Sequence, residues 1–235
     1  SANLSMLFTE RPFLERFEAA ARAGFAAVEC QFPYDWPADE VARAARGAGV
    51  EVVLFNFPAG DWAAGERGLG CLPGREDEFR AGVARALEYA AALGCTRLNC
   101  LAGVAPPAAD AAALRATLIG NLRHAVDACA PRGIDVLVEA INTRDVPGFF
   151  VDRSTLAAEL VAAAARDRLF IQYDIYHAQV MEGDLARSIA RLLPHIGHIQ
   201  FADNPGRGEP GSGEINFPWL FAELDRLGYA GSVGA

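Results

Sequence analysis

Lysine is absent from this chain: all 21 basic residues are arginines. Without a side-chain primary amine the protein cannot form a Schiff base with a carbonyl substrate or hold pyridoxal phosphate as an internal imine, which excludes both chemistries. Cysteine is sparse and unpatterned. Cys30, Cys71, Cys95, Cys100 and Cys129 form no C-x-x-C pair and are odd in number, so a disulfide framework is not expected and reduced, buried thiols are. Positive charge is also short. With 30 acidic residues, a net charge of -9 and a pI near 5.0, nothing offsets repulsion from phosphates, so neither nucleic acid nor an anionic membrane is the expected partner. No apolar run approaches the roughly 20 residues that span a bilayer, and no basic, cleavable leader opens the chain. A cytoplasmic protein acting on a small molecule is expected.

What the chain does have is apolar content, 52% of 235 residues, enough to build one domain around a sizeable core. Short β-type runs alternate with amphipathic Ala/Leu/Arg/Glu segments, the order that implies a parallel sheet with helices outside it. Strands are predicted at Asn3–Phe8, Ala26–Phe32, Glu51–Phe57, Arg97–Ala102, Asp135–Ile141, Leu169–Asp174, Gly197–Phe201 and Gly231–Gly234. Helices are predicted at Pro12–Ala23, Ala38–Ala48, Glu76–Leu93, Asp110–Ala130, Ser154–Ala165, Asp184–Leu193 and Pro218–Leu227. Gly24, Gly49, Gly94, Gly133 and Gly228 follow periodic segments, as left-handed helix terminators do. Eight strands alternating with seven helices predict an α/β fold, a TIM (β/α)8 barrel lacking its final helix, as one domain over residues 1–235 that is cut at both ends.

A barrel of this kind places its chemistry where strands reach their C-terminal ends. Glu139 ends Val136-Leu137-Val138 and Asp174 ends Phe170-Ile171-Gln172-Tyr173, while Gln200 and Asp203 occupy the matching stretch of the next strand. Their separations are each roughly one strand-plus-helix unit, so the oxygens meet at one mouth. Carboxylate with amide oxygen is a hard ligand set that suits one divalent cation, Mg²⁺ or Mn²⁺. The bland alternative is a set of strand-end salt bridges and caps. His177, three residues after Asp174, is placed to polarise a substrate oxygen; His198 is expected as a satisfied core residue, and His124 and His195 as ordinary packing or surface residues. The loop after the seventh strand contains a formal G-x-G-x-x-G at Gly206, Gly208 and Gly211, but it comes late and holds Pro210, so no nucleotide site is expected. Arg207 in that loop has the planar fork that matches a carboxylate. The long loop Asn56–Gly68 offers Trp62 as a wall or cover and Glu66 and Arg67 as partners for each other or for substrate; Asn99 is a further pocket candidate.

The stretches Ser1–Phe8, Pro58–Gly68, Pro73–Glu76, Ile171–His177 and Ala202–Gly211 together resemble the hydroxypyruvate isomerase family, within the xylose isomerase-like barrels, over essentially the whole chain. The resemblance implies metal ligands at Glu139, Asp174 and Gln200, substrate contacts from His177 and Arg207, and a further ligand glutamate at the end of the last strand. Here that strand reads Gly231-Ser232-Val233-Gly234-Ala235, so a second catalytic glutamate is expected just after Ala235. The implied reaction interconverts hydroxypyruvate and tartronate semialdehyde through an enediolate, with Glu139 and the further glutamate passing the proton. A four-carbon 2-oxo acid or a ketose epimerised at C3 is the neighbouring reading. A barrel that binds metal or sugar acid without catalysis, and metal-dependent phosphodiester cleavage, are the alternatives of other classes. Pairing of barrels into a homo-oligomer is expected by analogy only.

Overall fold

The computed structural model describes residues 1–235 and contains eight parallel strands in the order β1 to β8. They are β1 (Ala2–Asn3), β2 (Ala27–Glu29), β3 (Glu51–Asn56), β4 (Arg97–Cys100), β5 (Asp135–Glu139), β6 (Leu169–Asp174), β7 (Ile196–Gln200) and β8 (Val233–Gly234). Each strand pairs with the next, and the ring is joined where the Ala235 N–H donates to Ser1 O and the Asn3 N–H donates to Ala235 O. The helices are α1 (Phe13–Arg22), α2 (Ala38–Ala48), α3 (Glu76–Leu93), α4 (Ala111–Cys129), α5 (Ser154–Ala164), α6 (Ile175–Met181), α7 (Leu185–Leu192) and α8 (Phe217–Arg226). The TIM-barrel architecture expected from the alternating pattern is therefore the architecture observed. No helix is long and apolar enough to cross a membrane.

Strands β2 and β8 are shorter than the sequence predicts, and two larger differences stand out. The first strand is two residues long and not six, because Asn3 turns the chain: its carbonyl accepts the N–H groups of Met6 and Leu7, and its side chain accepts from Ser5 N–H. There are also eight helices and not seven. The additional one, α6, starts directly after Asp174 with Ile175-Tyr176, residues of strand-like propensity, and it forms because the Asp174 carboxylate caps it by accepting the N–H groups of Tyr176 and His177. Asp184–Leu193 corresponds to α7.

Alternation along the strands divides the interior into two unlike regions. Val136 and Val138 on β5, and Ile171 and Tyr173 on β6, face outward into one continuous core of 55 buried residues shared with the helices. The inward parity carries a much smaller apolar plug, Val53, Leu54 and Leu137 with Ala27 and Phe170 against it. Toward the C-terminal ends the same inward positions turn polar: Glu29, Asn56, Asn99, Glu139, Gln172, Asp174 and His198 are all buried. Burying ionisable groups costs several kcal/mol each unless they are paired or serve a bound ligand. The shell thus supplies the stability and the inside of the barrel holds the chemistry.

Candidate active site

A cavity of about 750 Å³ opens at this polar end. Glu139 and Asp174 stand on its floor at the ends of β5 and β6, with Gln200 on β7 in register with Asp174. Carboxylate oxygens of Glu139 and Asp174 and a ring nitrogen of His177 all lie within 4.8 Å of one another. All three residues are buried. Burial, and then the neighbouring Asp174 charge, push the Glu139 carboxyl up to about 8, against opposing help from the Asn99 amide and Arg207. The Asp174 charge beside so dry a carboxyl disfavours ionisation of Glu139, and a divalent cation between the two acids is the ligand that removes that penalty. The donor set fits such an ion: two hard carboxylates, with the Gln172 amide oxygen buried beside them and without a hydrogen-bond partner.

Asp174 has divided its oxygens. Oδ1 caps α6, taking Tyr176 N–H at 2.8 Å and His177 N–H at 3.3 Å, while Oδ2 lies 3.6 Å from His177 Nε2. The cap places His177 over the acids, because the first turn of α6 begins at the strand end. Burial, ahead of the opposing Asp174 charge, holds the His177 ring below the usual histidine range. Its Nδ1 faces Asn142, and Arg207 Nη2 approaches its Nε2 to 3.3 Å.

Arg207 reaches inward from the loop after β7. That loop is built around Asp203, whose Oδ1 accepts from Asn204 and Ile215 N–H and whose Oδ2 accepts from Gly211 and Gly213 N–H, at 2.9–3.0 Å. Asp203, considered from sequence as an oxygen donor to the cation, spends its carboxylate on the loop. Burial opposes its ionisation, but the four N–H groups outweigh that and keep it below the ordinary aspartate range. Gly213 is required here: a Cβ would collide with Asn204 O and Asp203 Oδ1. Arg207 itself adopts φ 52°, a left-handed conformation that costs a side-chain-bearing residue about 1 kcal/mol. Its guanidinium lies 5.1 Å from the Tyr176 ring centroid and 3.6 Å from Asp145.

The remaining candidates divide. Trp62 does line the mouth, packed 4.9 Å from Phe32 between ring centroids, with the Arg67 guanidinium carbon 4.2 Å over its ring. Arg67 is therefore a partner of Trp62; Glu66 pairs instead with Arg75 at 2.7 Å. Gly68, at φ 127° and bridged to Ala102, anchors this loop where a Cβ would strike Leu101 O. Asn99 does not line the cavity. Fully buried beneath it, Asn99 donates to Glu139 Oε2 at 2.9 Å and to Asn56 Oδ1 at 3.1 Å. Gln200 sits in the cavity wall with its amide oriented by two neighbours, Oε1 accepting from Gln172 and Nε2 donating to Glu29. His198 is buried as expected and bonded to Glu29 at 2.8 Å through Nε2, but it is only half satisfied, its Nδ1 having no hydrogen-bond partner.

Four further residues of the site are not singled out by the sequence reading. Glu29 ends the run Ala27-Val28 on β2 just as Glu139 ends β5, so the same strand-end rule finds it. Gln172 is the polar member of an apolar strand at inward parity. Asn142 and Asp145 lie in the β5–α5 loop, where no periodicity marks them.

Residues 17–235 match the xylose isomerase-like TIM barrel family. The chain belongs to that family. Among relatives, hydroxypyruvate isomerase of Escherichia coli is 49% identical over 234 residues, covering 100% of this chain and 91% of the relative. The 2-oxo-tetronate isomerase of Cupriavidus necator is 48% identical, covering 100% of this chain and 90% of that one. A crystal structure from Brucella melitensis, described as an AP endonuclease of family 2, superposes with a TM-score of 0.98 at 48% identity, covering 100% of this chain and 91% of that one. The family expected from the motifs is the family found.

Proposed function

We propose that this barrel is a divalent-cation-dependent isomerase that interconverts hydroxypyruvate and 2-hydroxy-3-oxopropanoate. The observation that carries the reading is the meeting of two buried carboxylates, Glu139 and Asp174, with two nitrogen groups, His177 and Arg207, at one polar barrel mouth. The names of the two relatives at 48–49% identity support it.

Glu139, Asp174 and Gln200 would hold the cation, Mg²⁺ or Mn²⁺, and when bound it would polarise the substrate carbonyl and adjoining hydroxyl, acidifying the C–H between them. Arg207 binds the carboxylate of the acid with its planar fork and fixes which end of the molecule enters first. His177 donates to a substrate oxygen and stabilises negative charge as it develops there. Glu139 takes the proton from C3, giving an enediolate, and returns it to C2; the hydroxyl proton moves from the C3 oxygen to the C2 oxygen, so atoms and charge balance. Trp62 lines the mouth, supported from outside the cavity by Phe32.

A second reading is the same chemistry on a four-carbon 2-oxo acid, supported by the relative named for that substrate. Steady-state assays with Mg²⁺ or Mn²⁺ on hydroxypyruvate and on 2-oxo-tetronate decide between them by kcat/KM. Negligible turnover of both defeats the isomerase reading and leaves a barrel that binds without catalysis. Solvent deuterium appearing in the product supports proton transfer, and its complete absence points to a hydride shift.

A further inference from the structure

His177 is gripped from behind by one residue. The Asn142 backbone N–H donates to Nδ1 at 3.3 Å, and the Asn142 side-chain nitrogen lies 2.7 Å from the same atom. The side-chain amide is not free to turn over. Its oxygen accepts the Asp145 N–H at 2.7 Å, and a flip would set that oxygen toward Nδ1 and the amide nitrogen against a backbone donor. Asn142 is 0% exposed and His177 3%, so water offers no substitute for these partners. With two donors aimed at Nδ1, that nitrogen must keep its lone pair, and the ring's one proton resides on Nε2.

The other face of the ring then has a definite character. Nε2 looks into the cavity toward Asp174 Oδ2 at 3.6 Å, with Arg207 Nη2 at 3.3 Å. An Nε2–H beside a guanidinium N–H is a pair of donors without an acceptor in hydrogen-bond reach of the ring, Asp174 Oδ2 at 3.6 Å being too far. An anionic oxygen of a substrate completes that arrangement; a cation does not, because it needs the Nε2 lone pair that the proton occupies.

We propose that Asn142 is a positioning residue that holds His177 in the Nε2–H tautomer, which makes the ring a neutral donor to a substrate oxygen and takes it out of the cation's ligand set. Of the three groups that meet within 4.8 Å, only Glu139 and Asp174 remain as ligands. The identity of the accepting oxygen rests on the isomerase reading; the tautomer does not.

The test is ¹⁵N NMR of the imidazoles in the full chain, with the His177 signals assigned by their loss in H177N. In the cation-free protein Nδ1 is expected to resonate as an unprotonated nitrogen and Nε2 as a protonated one. Saturating Mg²⁺, which is diamagnetic, is expected to leave Nε2 protonated. In Asn142→Asp the new carboxylate accepts a hydrogen bond from Nδ1–H, so Nδ1 is expected to become protonated. Loss of one donor to a developing negative oxygen costs roughly 100- to 1000-fold, and kcat on the active substrate is expected to fall by that factor while Mg²⁺ affinity stays within about twofold. A wild-type ring protonated at Nδ1, or one that loses its Nε2 proton when Mg²⁺ binds, overturns the proposal. Those two resonances are read in the unsubstituted protein, so they do not depend on how the variant folds. A protein that turned over neither acid yet showed the Nε2–H ring would defeat the isomerase reading and leave the tautomer assignment standing.

Discussion

Glu139 makes the stability of the cation-free protein depend on pH in an unusual direction. Its carboxyl is raised from an ordinary 4.5 to about 8, so between those values the folded chain binds a proton that the unfolded chain has released. Stability contributed by this group is therefore complete below about pH 4.5 and drains away as pH rises toward 8. The limiting slope is about 1.4 kcal/mol per pH unit. Between about pH 5.5 and 7.5 the expected loss is roughly 2 to 3 kcal/mol, from the ratio of the two binding polynomials. Glu139→Gln removes the titration and keeps an oxygen for the Asn99 amide that now donates to Oε2. Urea unfolding of both proteins in EDTA, at the two pH values, isolates the effect as a difference between slopes, since every other titrating group is shared. The wild type is expected to lose about 2 to 3 kcal/mol more than the variant over that interval. Saturating Mg²⁺ or Mn²⁺ is expected to abolish the difference in the wild type, because a cation binds the ionised form. Parallel pH profiles in EDTA would refute the account of Glu139 as a destabilised, buried acid.

Three further outcomes follow from particular contacts. Arg207→Gly removes the guanidinium and relieves the φ 52° backbone, so KM for the acid substrate is expected to rise roughly 10- to 100-fold with thermal stability unchanged or slightly higher; an unchanged KM would remove Arg207 from substrate binding. Asp174→Ala is expected to lose about 1 kcal/mol through the α6 cap while Asp174→Asn keeps most of it, yet calorimetry should find both without measurable Mn²⁺ binding. Asp203→Ala strands the N–H groups of Asn204, Gly211, Gly213 and Ile215, with an expected cost of at least about 2 kcal/mol and a rise in KM as Arg207 loses its support. In the unsubstituted protein the depressed Asp203 carboxyl gives stability that is present above the unfolded value and lost as pH falls through the folded one, so acid unfolding should be displaced in the Asp203→Ala protein relative to wild type.

The alternation of apolar runs and amphipathic segments is enough to read the barrel, because outward strand positions and inward helix faces share a core whose pattern is periodic. Glu139, Asp174 and Gln200 are legible for a related reason: a polar residue that closes an apolar strand in a barrel has few places to go but the mouth. Helix α6 is hidden because nothing separates it from β6; a carboxylate cap does the work that glycine or proline does elsewhere. Asp203 is misleading by position alone, since only the folded loop shows its oxygens turned toward four backbone donors. Asn142 illustrates a deeper limit. Its function depends on where a loop carries its amide relative to a ring 35 residues later in the chain, and no local spacing records that.

The divided carboxylate of Asp174 has a consequence for how the site meets its ions. One oxygen is held by two amides of α6, which sets the direction of the other before any ligand binds. On the proposed reading, selectivity among metals would be a question of reach: ions of different radius would have to adapt to a fixed oxygen, and lengthening the side chain by one methylene, as in Asp174→Glu, would displace both the helix end and the proposed ligand in a single stroke.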